Sequence, residues 1–406
     1  VSVATTVTLR ANDATGTTIF NGSTNWNPTG MPASGNSYFT GAHVIRSVNN
    51  TTTGATNIFA GDSLSINSGG RFLAKVGNNI TGNTTVANNT ANYILNGGLM
   101  DQAGATSDSS VCVIGGTVAV NAASFLGALG ATSSDSANFE TLDIIAPISG
   151  SAALQVSGAT VNSGDDTGVV RFSAANSYGG IITVTNADNN VVASAVHRIL
   201  QLNNLNALSN ATLNLVATAV NPVSFPNAIN SAAFNVGGLS GTASQALSDT
   251  DGSAVTLSVG GNNTSSTYAG ALTGNGSLAK TGTGTLTLSG ENIFSGVTVI
   301  SNGAVAISGN GSLASSISIA GSGATLDLSG LSGSLLTVAD SKTLSGIGLV
   351  NGSITMSSAS TLSPGNNGVG TLKVLNNLKL NIGSSNLFEL STSAVGANDL
   401  ALVGGA

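Results

Sequence analysis

The chain has 406 residues and a formal net charge of −7, with 10 Lys plus Arg against 17 Asp plus Glu. Phosphate backbones and anionic headgroups are held by clustered cations, so this balance excludes nucleic acid and charged membrane surfaces as partners. Charged residues make up 7% and aromatic residues 4%, while 54 residues are Gly and 41% are hydrophobic; a disordered polar linker would lack that apolar surface, and six prolines without a Gly-X-Y period exclude collagen.

The chain begins at Val1 with neither a basic start nor an apolar block, so a secretion signal is expected to have been removed or never included. No apolar stretch approaches the roughly 18 residues of a membrane helix, and no membrane span is expected. Residues 1–60 gather Phe20, Trp26, Tyr38 and Phe39, with Pro28, Pro32 and His43 nearby. Aromatics concentrated at one end suit a cap over a first layer of strands, and 1–60 is assigned as an N-terminal cap. Residues 61–165 are expected to form less regular β layers. They hold the single cysteine, Cys112, which cannot form an intrachain disulfide and reads in Val111-Cys112-Val113-Ile114 as a small buried apolar residue.

Repetition governs the remainder of the chain. GVVRFSAANSYGGIITV at 168–184 aligns with GTLTLSGENIFSGVTVI at 284–300 at a constant offset of 116 residues. Gly168 meets Gly284, Ser173 meets Ser289, Asn176 meets Asn292, Tyr178 meets Phe294, Gly180 meets Gly296 and Val184 meets Ile300. The segments 166–260 and 261–406 are therefore read as two repeat-bearing stretches, the first carrying an inserted loop at about 187–198. In the second, apolar pairs recur closely: Leu286/Leu288, Val297/Val299, Val305/Ile307, Ile317/Ile319, Leu326/Leu328, Leu336/Val338, Ile354/Met356, Leu372/Val374, Leu378/Leu380 and Phe388/Leu390. Residues i and i+2 of a strand share a face, so each pair is expected to mark a short strand with that face buried. The Gly- and Asn-rich turns between them accept positive φ at little cost. A sandwich or closed barrel needs each strand to differ, whereas a solenoid stacks similar coils; the pattern predicts an all-β parallel β-solenoid of roughly 22 residues per coil.

Chemistry-bearing residues are few. Asp165-Asp166 and Asp249-x-Asp251-Gly252 are the best carboxylate clusters, and both lie in turns where Asp commonly caps its own backbone. Asp249 and Asp251 also resemble a fragment of a calcium loop without its remaining ligands, and all four carboxylates are the residues an acid/base cleavage site would use. The two histidines, His43 and His197, are too far apart in sequence for a local metal pair, and His197-Arg198 falls in the inserted loop. No cofactor or metal is expected. The chain stops at ANDLALVGGA within what reads as a strand and turn, so either more chain or another molecule is expected to complete that end.

Two further passages carry a resemblance. Lys280-x-Gly282-x-Gly284-Thr-Leu286-x-Leu288, followed by Asn292, Phe294 and Gly296, resembles the autotransporter-associated β-strand repeat over Leu272–Ser308. LSPGNNGVGTLKV from Leu362, the Asn398-Asp399-Leu400 step, AFNVGGLSG at 233–241 and NWNPTGMPASGNSYF at 25–39 are similar to other parts of such passengers. The resemblance implies a right-handed parallel β-helix, secreted or surface-exposed, in a family of adhesins, stalks and fibres without catalytic residues. The expectation is thus a non-catalytic extracellular solenoid, either a surface adhesin or a subunit joined end to end into filaments. The joining surfaces are placed at residues 1–45, with Trp26, Tyr38 and Phe39, and at 385–406, with Phe388, Leu390 and Leu400. A monomeric adhesin binding a surface receptor or a polysaccharide, and a carbohydrate-active β-helix enzyme, are the alternatives.

Overall fold

The computed structural model describes residues 5–12, 19–48, 54–75, 86–102, 110–129, 141–159, 168–186, 200–216, 221–227, 233–365, 368–390 and 397–405. They fall into two compact units, Val1–Pro226 and Asn227–Ala406.

In the first unit two parallel sheets are built by successive turns of the chain. One contains Asn36–Phe39, Ser63–Asn67, Val86–Asn96, Val111–Ala122, Thr141–Ile144, Val169–Phe172 and Leu200–Leu202, each bonded to the next. The other contains Val44–Arg46, Arg71–Ala74, Leu99–Gln102, Ser124–Leu129, Leu154–Ala159, Ile181–Asn186 and Leu208–Leu215. Coils here are longer than the sequence pattern suggests: Arg71 and Asp101, on adjacent coils, are 30 positions apart, and Asp143 and Arg171 are 28 apart. The strand period of two points alternate residues inward, and stacking in register sets each inward residue on its counterpart. One such column runs Ile45, Phe72, Met100, Leu126, Val156, Val184 and Leu215, all buried. Each large member contributes about 1.5–3 kcal/mol by leaving water.

The N-terminal end departs from this scheme. Thr5–Leu9 pairs in parallel with Asn36–Phe39 on one edge, and on the other it pairs antiparallel with Trp26–Asn27 through Thr8↔Asn27 and Leu9↔Trp26. The indole Nε1 of Trp26 donates to the Phe20 carbonyl at 3.1 Å, and its ring meets Tyr38 edge-on with centroids 4.9 Å apart. Phe59 stacks on Phe20 and lies edge-on to Tyr38. Trp26 and Tyr38, expected at a joining surface, are both buried in this aromatic cluster, and Phe39 beside them is half-buried.

The second unit has three-sided coils. Thr256–Val259, Ser277–Lys280, Val297–Ile300, Ser316–Ile319, Thr343–Gly346, Thr361–Pro364 and Ser385–Asn386 stack on one side. Ser266–Tyr268, Thr285–Leu288, Ala304–Gly309, Thr325–Leu331, Leu349–Asn351, Thr371–Val374 and Leu400–Val403 stack on the second. Short pairs such as Glu291–Asn292 with Ser312–Leu313, and the triple Leu335–Val338, Ser353–Met356 and Leu378–Leu380, make the third. The coils are tighter than in the first unit, with Leu272 and Asn292, one coil apart, separated by 20 positions. Every strand pairing described within this unit is parallel, and the chain is a parallel β-helix, as the alternating pairs and the internal repeat led one to expect.

Three of the expected pairs fall differently. Val297 and Val299 face outward, and Thr298 and Ile300 are buried instead. The register against Leu278 and Lys280 in the preceding coil dictates that choice, and the Thr298 hydroxyl is satisfied by the Ser315 hydroxyl at 2.7 Å. Phe388 and Leu390 lie outside any strand, and Leu380 is exposed, because no described strand lies over that part of the final coil.

Candidate functional site

The residues of the Lys-x-Gly-x-Gly-Thr-Leu-x-Leu motif build one corner of a coil. Lys280 ends its strand pointing inward and is 1% exposed. Its ammonium donates to the carbonyls of Thr281, Gly282 at 2.9 Å and Asn302 at 3.3 Å, gathering a turn and the turn of the next coil. Burial lowers its pKa from the usual 10.5 to about 8. Gly282, at φ +62°, lies so close to the Gly260 carbonyl of the coil before that a Cβ would collide with it. Gly284 and Gly296 are likewise crowded by the backbone of the preceding coil. Leu286 and Leu288 point inward, in register with Val305 and Ile307.

Asn292 is fully buried and ties three coils together. Its Oδ1 accepts the Leu272 N–H at 3.1 Å, and its Nδ2 donates to the carbonyls of Gly290 at 2.8 Å and Ser312 at 3.1 Å. Asn176, its sequence counterpart in the first unit, does the same: Oδ1 accepts the Ile148 N–H at 2.7 Å and Nδ2 donates to the Ala207 carbonyl at 2.9 Å. Phe294 is buried, and its counterpart Tyr178 uses its hydroxyl to donate to the carbonyls of Ala152 and Ile181. The matched motif positions thus hold successive coils together.

The carboxylates singled out in the sequence serve local turns. Asp249 accepts the N–H groups of Asp251 at 2.9 Å and Ser253 at 2.8 Å, closing its own turn, and Asp251 pairs with the Asn227 amide. Among the described residues no group of three or more His, Cys, Asp or Glu is gathered around one point. His43 lies with Nδ1 3.3 Å from the Asn12 side-chain oxygen, and Cys112 is buried. Asp165, Asp166, His197, Arg198 and the inserted loop at 187–198 lie outside the described residues. At the other end, Phe388, Leu390 and Leu400 are 39%, 76% and 48% exposed.

Several polar positions had no assigned role in the sequence. Asp399, nearly buried, accepts the Gly370 N–H and the Glu389 N–H, both at 2.7 Å, pinning the last coil to the one before. Arg71 grips Asp101 with Nε–Oδ1 at 2.8 Å, and Arg171 reaches Asp143 at 2.7 Å, each pair bridging neighbouring coils. Burial raises the Asp101 pKa and Arg71 opposes that rise. The Asn398-Asp399-Leu400 step was a visible signal for Asp399; the ion pairs left none, because their partners are a full coil away in sequence.

Residues 278–307 match the model of the passenger-associated-transport-repeat. No curated protein and no solved structure matches the chain. Among the described residues no helix is long and apolar enough to cross a membrane.

Proposed function

We propose that this β-helix is the extracellular, non-catalytic part of a surface adhesin or stalk. The observation that carries the proposal is the passenger-type repeat at 278–307, whose Lys280, Asn292 and glycines are all engaged in stacking coils. A chain so poor in charge and so regular in its coils supports a role as a scaffold that presents surface to other molecules. An antibody against the chain should label unpermeabilised cells that produce it, and incubation with neutral or acidic polysaccharides should release no new reducing ends. Labelling that requires permeabilisation would overturn the surface assignment. Cleavage activity that vanishes in Asp249→Asn would overturn the non-catalytic one.

A second reading, self-association into filaments, is favoured by the exposed apolar side chains of the last described coil, Phe388, Leu390, Leu400 and Leu402. The first strand, Thr5–Leu9, is already bonded to Trp26–Asn27, so a partner strand at that end would add to Trp26–Asn27 or to Val44–Arg46.

A further inference from the structure

On the outside of the first unit, three stacked strands bring Phe125, Gln155 and Thr183 directly above one another. Beside that row the outward positions are the small residues Ala123 and Ala153, and the difference in height leaves a lateral groove of about 160 Å³. One wall is the Phe125 ring, 41% exposed, while the other outward residues along the groove are small or polar. Asn214 Nδ2 donates to Thr183 Oγ1 at 3.3 Å, which leaves the Thr183 hydroxyl proton free to point outward. Among the described residues the Gln155 amide has no hydrogen-bond partner. The groove lining contains no ionisable side chain.

From these observations we infer that the groove is a binding subsite for an uncharged polysaccharide, a deepening that rests on the adhesin reading. A pyranose ring offers an apolar C–H face to an aromatic ring and hydroxyls at its rim, which is what Phe125 and the Gln155–Thr183 row complement. The row repeats every ~4.8 Å, the spacing of stacked strands, a step close to one sugar ring. A glycan chain laid across the strands therefore places successive residues over Phe125, Gln155 and Thr183. An acidic glycan is disfavoured because no cation lines the groove and the chain as a whole is negative.

The test is calorimetric titration of the 406-residue protein with neutral hexasaccharides of glucose, mannose, galactose and N-acetylglucosamine, and with hexagalacturonate as the charged comparison. At least one neutral hexasaccharide should bind and hexagalacturonate should not. Phe125→Ala should weaken that binding about tenfold or more, and Gln155→Ala about three- to tenfold. Ile145→Ala, an exposed position outside the groove, should leave it unchanged. Circular dichroism and the melting temperature of each variant show that the loss is not one of folding. Failure of every neutral hexasaccharide, preference for hexagalacturonate, or equal binding by folded Phe125→Ala overturns the subsite. Binding that survives Phe125→Ala sinks the groove and leaves the adhesin standing, whereas new reducing ends released from a hexasaccharide sink the adhesin reading itself.

Discussion

Lys280 shows how a charged residue can sit inside an apolar coil. Three carbonyls converge on its ammonium, so Lys280→Met, similar in length, strands those acceptors and should lower the stability of the second unit by about 1–3 kcal/mol. The pH dependence has a definite sign. Because the folded-state pKa lies near 8 and the ordinary value is 10.5, the unfolded chain holds more protons between those limits, and stability rises with pH there. Tyr178 and Tyr268 act oppositely: burial raises their pKa, so the unfolded state releases their protons first and stability falls as pH climbs past 10. Urea midpoints measured between pH 7.5 and 9.5 should therefore rise in the wild type and stay flat in Lys280→Met.

Among whole elements, the corner asparagines decide how coils meet. Asn176 and Asn292 each bond a backbone N–H of the coil before and a carbonyl of the coil after. Asn292→Ala and Asn176→Ala each strand a buried backbone N–H, of Leu272 and of Ile148, and remove a bond to a carbonyl of the next coil, while the Gly290 carbonyl keeps the Ser312 N–H; both should lower the melting temperature by several degrees. The sequence alignment picked out this pair but not its task, because a residue's letter carries no record of partners a full coil away. The strand pairs were legible wherever apolar residues alternated, as at Leu286/Leu288 and Ile317/Ile319. They misled at Val297/Val299, where both residue sets of one strand had acceptable inward members and only the register from Leu278 chose between them. The groove at Phe125 was invisible for the same reason: its walls come from strands on successive coils, whose register no local pattern announces.

For the molecule as a whole, the two described ends of the chain differ in kind. One is closed by an antiparallel strand and an aromatic cluster, and the other presents Phe388, Leu390 and Leu400 to solvent. If the exposed end drives self-association, the double variant Leu390→Asp, Leu400→Asp should sediment as a monomer at concentrations where the wild type does not. Substitutions near the first strand should have no such effect. With charged residues at only 7%, little long-range repulsion opposes such contact, so association should vary weakly with salt.

The sequence contains a single tryptophan, and it sits in the aromatic nest that shuts the first coil. Its fluorescence is therefore a built-in gauge for that one place. Emission should stay blue-shifted while distant coils melt, and should move to the red only when the strand Trp26–Asn27 peels away and water reaches the indole.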